Sequence, residues 1–369
     1  MRRAAAAVLA LPAAAAACGA STPSHPQSAA ACAATARAEL VRVAHRIYDQ
    51  AVSGRNEVAA VARIHRSAKL ARAVAARDPL AVRAALKPLI KNRITRIDVS
   101  AGGRTLARFG TVRAYAPVRG VVTDGGRVVG RYVLSVGDDR AFEAITEGLT
   151  GARVRFGGAA AASFPATLFP ARRTIVALHV PVRPPVVCGS SAADTRAATI
   201  GLVGQNLINA ESRGPSAQQA LSHAAATPAF RRAIAAGDPV AVRNAIIGFF
   251  RDSRFHIVRV RAWTDGRLIT DVGGPYVLSP ASRTIPGGGR FMLSVQDDTG
   301  FIKLMHRFTG ADVVLHMAGK TVPGSNVSPG PRYAPGLTNV TYGGRSYRDF
   351  GFTARAFPTG QLRVSLLVT

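Results

Sequence analysis

The strongest constraint on this chain is that it repeats itself once. Asp78-Pro79-Leu80-Ala81-Val82-Arg83 returns as Asp238-Pro239-Val240-Ala241-Val242-Arg243, and Ser135-Val136-Gly137-Asp138-Asp139 returns as Ser294-Val295-Gln296-Asp297-Asp298. Thr150-Gly151-Ala152 and Phe169-Pro170 recur, in the same order, as Thr309-Gly310-Ala311 and Phe357-Pro358. The spacing is that of a whole domain, not of a solenoid unit. A chain of 369 residues has room for two domains, each with its own core. Its 48% hydrophobic and 18% charged residues form a globular balance, so both halves are expected to fold. The expected division is 33–183 and 188–369, joined at Pro184-Pro185.

Each half reads as the same series of elements. A long Ala-rich helix is expected over Ala33–Ala76 and again over Ala192–Ala236. Asp78-Pro79 and Asp238-Pro239 then restart a helix, because Asp caps free N–H groups and Pro at the first turn forfeits no hydrogen bond. A hairpin follows, turning at Gly102-Gly103 in one half and Asp265-Gly266 in the other. Alternation places Val258, Val260 and Ala262 on one face of its first strand, toward the long helix, and Arg259, Arg261 and Trp263 on the other. A loop-rich crossing leads to a third strand, Arg131–Val136 or Arg290–Val295. The Asp pair then caps a helix, and two strands close the half. The expected fold class is therefore α+β: two repeated PAS-like domains, each an antiparallel sheet with a long N-terminal helix.

The first residues suggest export. Met1-Arg2-Arg3 precedes an apolar run, Ala4–Ala17, of signal-peptide length and shorter than the roughly 20 residues a spanning helix needs. Ala15-Ala16-Ala17-Cys18 resembles the lipobox of bacterial lipoproteins, departing from it at Ala15, where Leu is preferred. The resemblance implies a signal segment within residues 1–18 that is cut before Cys18, with acylation of the Cys18 thiol, and the Ser/Pro-rich segment within 19–32 would serve as a tether. Plain secretion is the alternative. Cys32 and Cys188 open the two halves, and an exported chain can keep a disulfide, so their pairing is expected, with two unpaired thiols as the alternative.

Asp271-Val272-Gly273-Gly274-Pro275-Tyr276-Val277-Leu278 and Phe291–Asp298, closing on Arg307-Phe308-Thr309-Gly310-Ala311, resemble Cache extracellular sensor domains. The resemblance covers the chain from about residue 33 and is better in the second half. In the first, Arg108-Phe109-Gly110 stands at the place of Asp271-Val272-Gly273, which implies an altered or lost pocket. The family implies a small molecule bound over the sheet beneath the crossing, with occupancy passed to a membrane signalling partner. No kinase, cyclase or chemoreceptor segment follows, which favours a ligand-capturing or co-receptor role. Guanidinium groups beside aromatic rings suit a carboxylate-bearing metabolite. Arg259, Arg261 and Arg290 are the expected anion contacts, Trp263 and Tyr276 the walls, and Asp271 the partner of an amine.

Enzyme signatures fail. The eight histidines include no His-x-x-x-His pair, no Gly-x-Ser-x-Gly elbow occurs, and Gly319-Lys320-Thr321 lacks the first glycine of a phosphate loop, Val314 standing there. No catalytic residue, metal or cofactor is assigned, and an envelope hydrolase would need a nucleophile or metal set that these motifs do not supply. The formal charge of +28 is nearly all arginine, scattered without long like-charge blocks. It leaves a polyanion-binding envelope scaffold as the alternative function, with no specific nucleic acid implied.

Overall fold

The computed structural model describes residues 27–90, 94–110, 113–158, 160–181, 188–252, 254–274, 277–287, 289–317, 319–324, 327, 330–357 and 360–369. The signal, Cys18, most of the tether, Pro184-Pro185 and Tyr276 lie outside the described residues. The protein is mixed α/β with several antiparallel sheets. No helix among the described residues is long and apolar enough to cross a membrane.

The first half begins with α1 (Ala29–Ser53), α2 (Arg55–His65), α3 (Ala68–Ala75) and α4 (Pro79–Ile90). The expected single helix over 33–76 is thus three helices, and α1 starts inside the segment read as tether, where Ser28 Oγ accepts from Ala31 N–H. The first break is at Gly54, where a β-carbon would sit 2.1 Å from Gln50 O. Asp78 caps α4, its carboxylate accepting from the N–H groups of Leu80 and Ala81 at 2.9 and 3.1 Å. Next come β1 (Arg96–Ala101), β2 (Arg104–Gly110), β3 (Ala114–Tyr115), β4 (Val118–Asp124), β5 (Arg127–Ser135) and β6 (Gly137–Asp138). The half ends with α5 (Asp139–Thr150), β7 (Arg153–Phe156), β8 (Ser163–Leu168) and β9 (Arg172–His179).

The second half runs α6 (Ala192–Arg213), α7 (Pro215–Ala226), α8 (Pro228–Ala235) and α9 (Pro239–Arg251), then β10 (Arg259–Thr264), β11 (Arg267–Gly273), β12 (Val277–Leu278), β13 (Ala281–Ile285) and β14 (Gly289–Ser294). It closes with α10 (Asp298–Thr309), β15 (Asp312–Met317), β16 (Lys320–Thr321), β17 (Gly336–Tyr342), β18 (Arg345–Phe357) and β19 (Gln361–Val368). Its helical stretch, too, is interrupted, at Gly214-Pro215 and Thr227-Pro228. Gly319-Lys320-Thr321 forms the turn and short strand of a hairpin with β15.

Two sheets per half replace the one that was expected. The hairpin strands join the orders β2-β1-β5-β4 and β11-β10-β14-β13, while the closing strands join β6-β3-β8-β9-β7 and β12-β18-β19-β15-β16, with β17 on β18. The crossing contributes an edge strand in each case, β4 or β13. Both first hairpins turn through two residues of positive φ, Gly102-Gly103 (56° and 78°) and Asp265-Gly266 (48° and 74°), matching the strands' right-handed twist.

Three cores result. Val260 and Ala262 are buried as alternation requires, against α7 and α8, which lie within the helical stretch expected over 192–236, and against α9. The corresponding first-half core lies between α2–α4 and the β1 sheet. The third core is shared: α1, α5, α6 and α10 pack together between the inner faces of the two closing sheets. The stripes Leu40, Val43, Ala44, Ile47 and Ile200, Val203, Gly204, Leu207 meet there at helical spacing. Cys32 and Cys188 are disulfide-bonded, with Cα atoms 5.6 Å apart, and Glu39, 2% exposed, pairs with Arg42 and across the halves with Arg196.

Glycine sets how closely α6 lies on β18. A β-carbon at Gly201 would come within 2.1 Å of the Phe350 ring. Gly201→Val should therefore cost about 2 kcal/mol through overpacking, read as a lower urea midpoint with an unchanged slope. An unchanged midpoint would show that α6 can lift without penalty.

Candidate functional site

The residues expected to meet a ligand anion largely meet one another. Arg259 donates from Nε and Nη2 to the two oxygens of Asp271 at 2.8 and 2.7 Å, and from Nη1 to Gly274 O at 2.9 Å. Arg261 Nε lies 3.0 Å from the same carboxylate. The Arg259 guanidinium also sits 5.2 Å from the centre of the Phe357 ring, so it links the β10 sheet to the closing sheet. Arg261 and Arg290 flank the indole of Trp263 at 5.5 and 4.7 Å. Trp263 and Arg290 border a hollow of about 220 Å³ with Ser282, Thr284 and Met292.

The first half carries the same junction with one exchange. Arg96 stacks on Phe169 at 4.4 Å, and Asp98 lies 3.7 Å from Arg96 and 3.4 Å from Arg108. Asp98 faces Arg108 across β1 and β2, and Arg261 faces Asp271 across β10 and β11. The carboxylate has changed strands while the stacked arginine has stayed.

A larger cleft, of about 770 Å³, lies in the second half between α6, α7 and the start of β13 on one side and β18 with Gln361 on the other. Its lining includes the amides of Gln205, Asn209, Gln218 and Gln361 and the guanidinium groups of Arg213 and Arg355. None of its described lining residues is acidic. At its back Ser279 adopts φ +50° in the turn that carries the chain from one sheet to the other. The Ser279 N–H donates to Arg355 O at 3.3 Å, while its buried Oγ has no hydrogen-bond partner. A cleft with cations, amide donors and no carboxylate can hold an anion with polar substituents.

The space exists because of what α6 lacks. Helices α1 and α6 both end on a capping glycine, Gly54 and Gly214, and that register sets Tyr48 beside Ile208. In the first half the Tyr48 ring packs against Tyr115 at 5.3 Å and Phe164 at 5.8 Å, and its Oη accepts from Thr167 N–H at 2.9 Å. Ile208 and Leu278 stand at the places of the two tyrosines and are shorter, and Ile208 has no acceptor to offer. In the same register Glu211 stands where the first half has buried Ala51. Burial pushes its carboxyl up to about 7, against a partial offset from His256. Reading the chain with the two capping glycines aligned would have exposed these exchanges.

No protein-family model, curated protein or solved structure matches the chain.

Proposed function

We propose that this protein is an exported, lipid-anchored, non-catalytic binding protein. In this reading it has two Cache-like halves, and the second captures a carboxylate-bearing metabolite in the cleft between α6, α7 and β18. The single observation that carries the reading is the contrast between the halves: one space filled by Tyr48, its counterpart open and lined by Arg213, Arg355 and four amides. The Cache-like assignment is supported by the matching strand orders β2-β1-β5-β4 and β11-β10-β14-β13. A role as ligand-capturing partner of a membrane signalling protein follows from the same reading.

The test is a thermal-shift and calorimetric screen of the purified protein against amino and organic acids. A ligand at 100 times its dissociation constant should stabilise the fold by about 2.7 kcal/mol. Ile208→Tyr should refill the cleft as Tyr48 does and abolish binding without unfolding the chain. Arg355→Ala should weaken binding roughly ten- to hundredfold, the range of one charged hydrogen bond. Equal binding by Ile208→Tyr would move the site elsewhere. The charge of +28 supports a second reading, attachment to anionic envelope polymers. It would show as an affinity falling steeply with salt and indifferent to Ile208→Tyr.

A further inference from the structure

The outer face of the second closing sheet, turned away from the shared core, contains a group of buried polar atoms without partners. Asp349 on β18 is fully buried, and neither carboxylate oxygen makes a hydrogen bond of acceptable geometry, although Ser365 Oγ and the Leu366 N–H lie beside it. Thr338, directly opposite on β17, has an unpartnered Oγ1, and Ser365 on β19 has an unpartnered Oγ. Tyr333 Oη and, further along the face, His316 Nε2 are likewise unpartnered.

The covering is tight. Residues 330–335 cross this face where Gly351 carries no side chain: a β-carbon there would lie 1.8 Å from Ala334 O and 3.2 Å from the Tyr333 ring. Val314, Tyr347 and Leu367 form a small apolar cluster on the same side, so water is displaced around the carboxylate. Leaving a buried polar atom unmade costs about 1–3 kcal/mol, and more for a charge. Several such atoms gathered round one acid are poor as architecture and suitable as a ligand set.

We infer that this face holds one hard, oxygen-ligated metal ion, with Asp349 supplying the charge and Thr338, Ser365 and Tyr333 supplying neutral oxygens. Oxygen donors of this kind suit Na⁺, Mg²⁺ or Ca²⁺, and one carboxylate with hydroxyl groups is the donor set of a weakly charged site. The nearby cation, Arg363, is held 5.5 Å over the Tyr333 ring. Burial raises the Asp349 carboxyl to about 7. Burial and the Arg363 charge lower the His316 imidazole, and burial raises the Tyr333 phenol.

The experiment uses the purified protein, treated with chelator and exchanged into choline chloride at pH 8, then titrated with CaCl₂, MgCl₂ or NaCl while its melting is followed. One of these salts should raise Tm saturably. Asp349→Asn should abolish the response, and Thr338→Val should weaken the apparent affinity at least threefold. Should Asp349→Asn fail to fold, Thr338→Val and Ser365→Ala decide the matter, since both leave the acid in place. No saturable response to any of the three salts, or a response unchanged in the variants, overturns the proposal.

Discussion

Replacing both Cys32 and Cys188 by serine is expected to destabilise the protein by roughly 5 kcal/mol, the chain-entropy value for a loop of this length. The two cysteines are separated by 156 positions, so the bridge removes the freedom of nearly the whole first half from the unfolded ensemble. It is also placed where the halves meet. Beside it Thr195 Oγ1 donates to Gln27 Oε1 at 2.8 Å, and the next residue, Arg196, reaches Glu39. These contacts depend on α1 and α6 starting side by side, so the bridge also preserves their register. For a chain of this size the corresponding drop in Tm is roughly 7 °C. Melting the double serine variant beside wild type, with and without reductant, measures it. A shift below about 1 °C would mean that the shared helical core already fixes the two helices in the unbridged protein.

What the sequence made legible is mostly what local chemistry decides. Asp78 and Asp238 cap helices, Asp138 and Asp297 do the same for α5 and α10, and the two first hairpins turn where Gly102-Gly103 and Asp265-Gly266 allow. Partition of strands between sheets is not a local property. Alternation tells which face of β10 is apolar, yet α6 and α7–α9 are equally apolar partners, and only packing assigns the face to α7–α9. The crossing strand β4 does carry a local signal, Gly125-Gly126 between β-branched runs, although the stretch was expected to be rich in loop. The candidate cleft was hidden for a different reason. It consists of side chains that are absent, and Ile208 is an ordinary core residue until it is set beside Tyr48.

Reversing the sign of Asp271 is the second large effect expected, and its rescue discriminates between the two accounts of the arginine cluster. Asp271→Arg would place three guanidinium groups within a few ångströms, where Arg259 and Arg261 are only 13% and 17% exposed in their side chains. Breaking a buried pair costs about 3–5 kcal/mol, and partial exposure lowers the expectation here to about 3 kcal/mol. Adding Arg261→Asp returns the carboxylate to the cluster on the opposite strand, which is the arrangement that Asp98 and Arg108 already adopt in the first half. The second substitution should therefore recover about 2 kcal/mol or more, a coupling measurable by a double-mutant cycle in urea. Strict additivity would mean that the cluster is not acting as one electrostatic unit. The same double variant separates structure from recognition. If Arg259, Arg261 and Asp271 serve to join the two sheets, the swapped protein keeps its affinity for an acid ligand that Ile208→Tyr abolishes. Should the swap destroy binding while stability is restored, the ligand lies on the β10 strand and the cleft beside α6 is not its site.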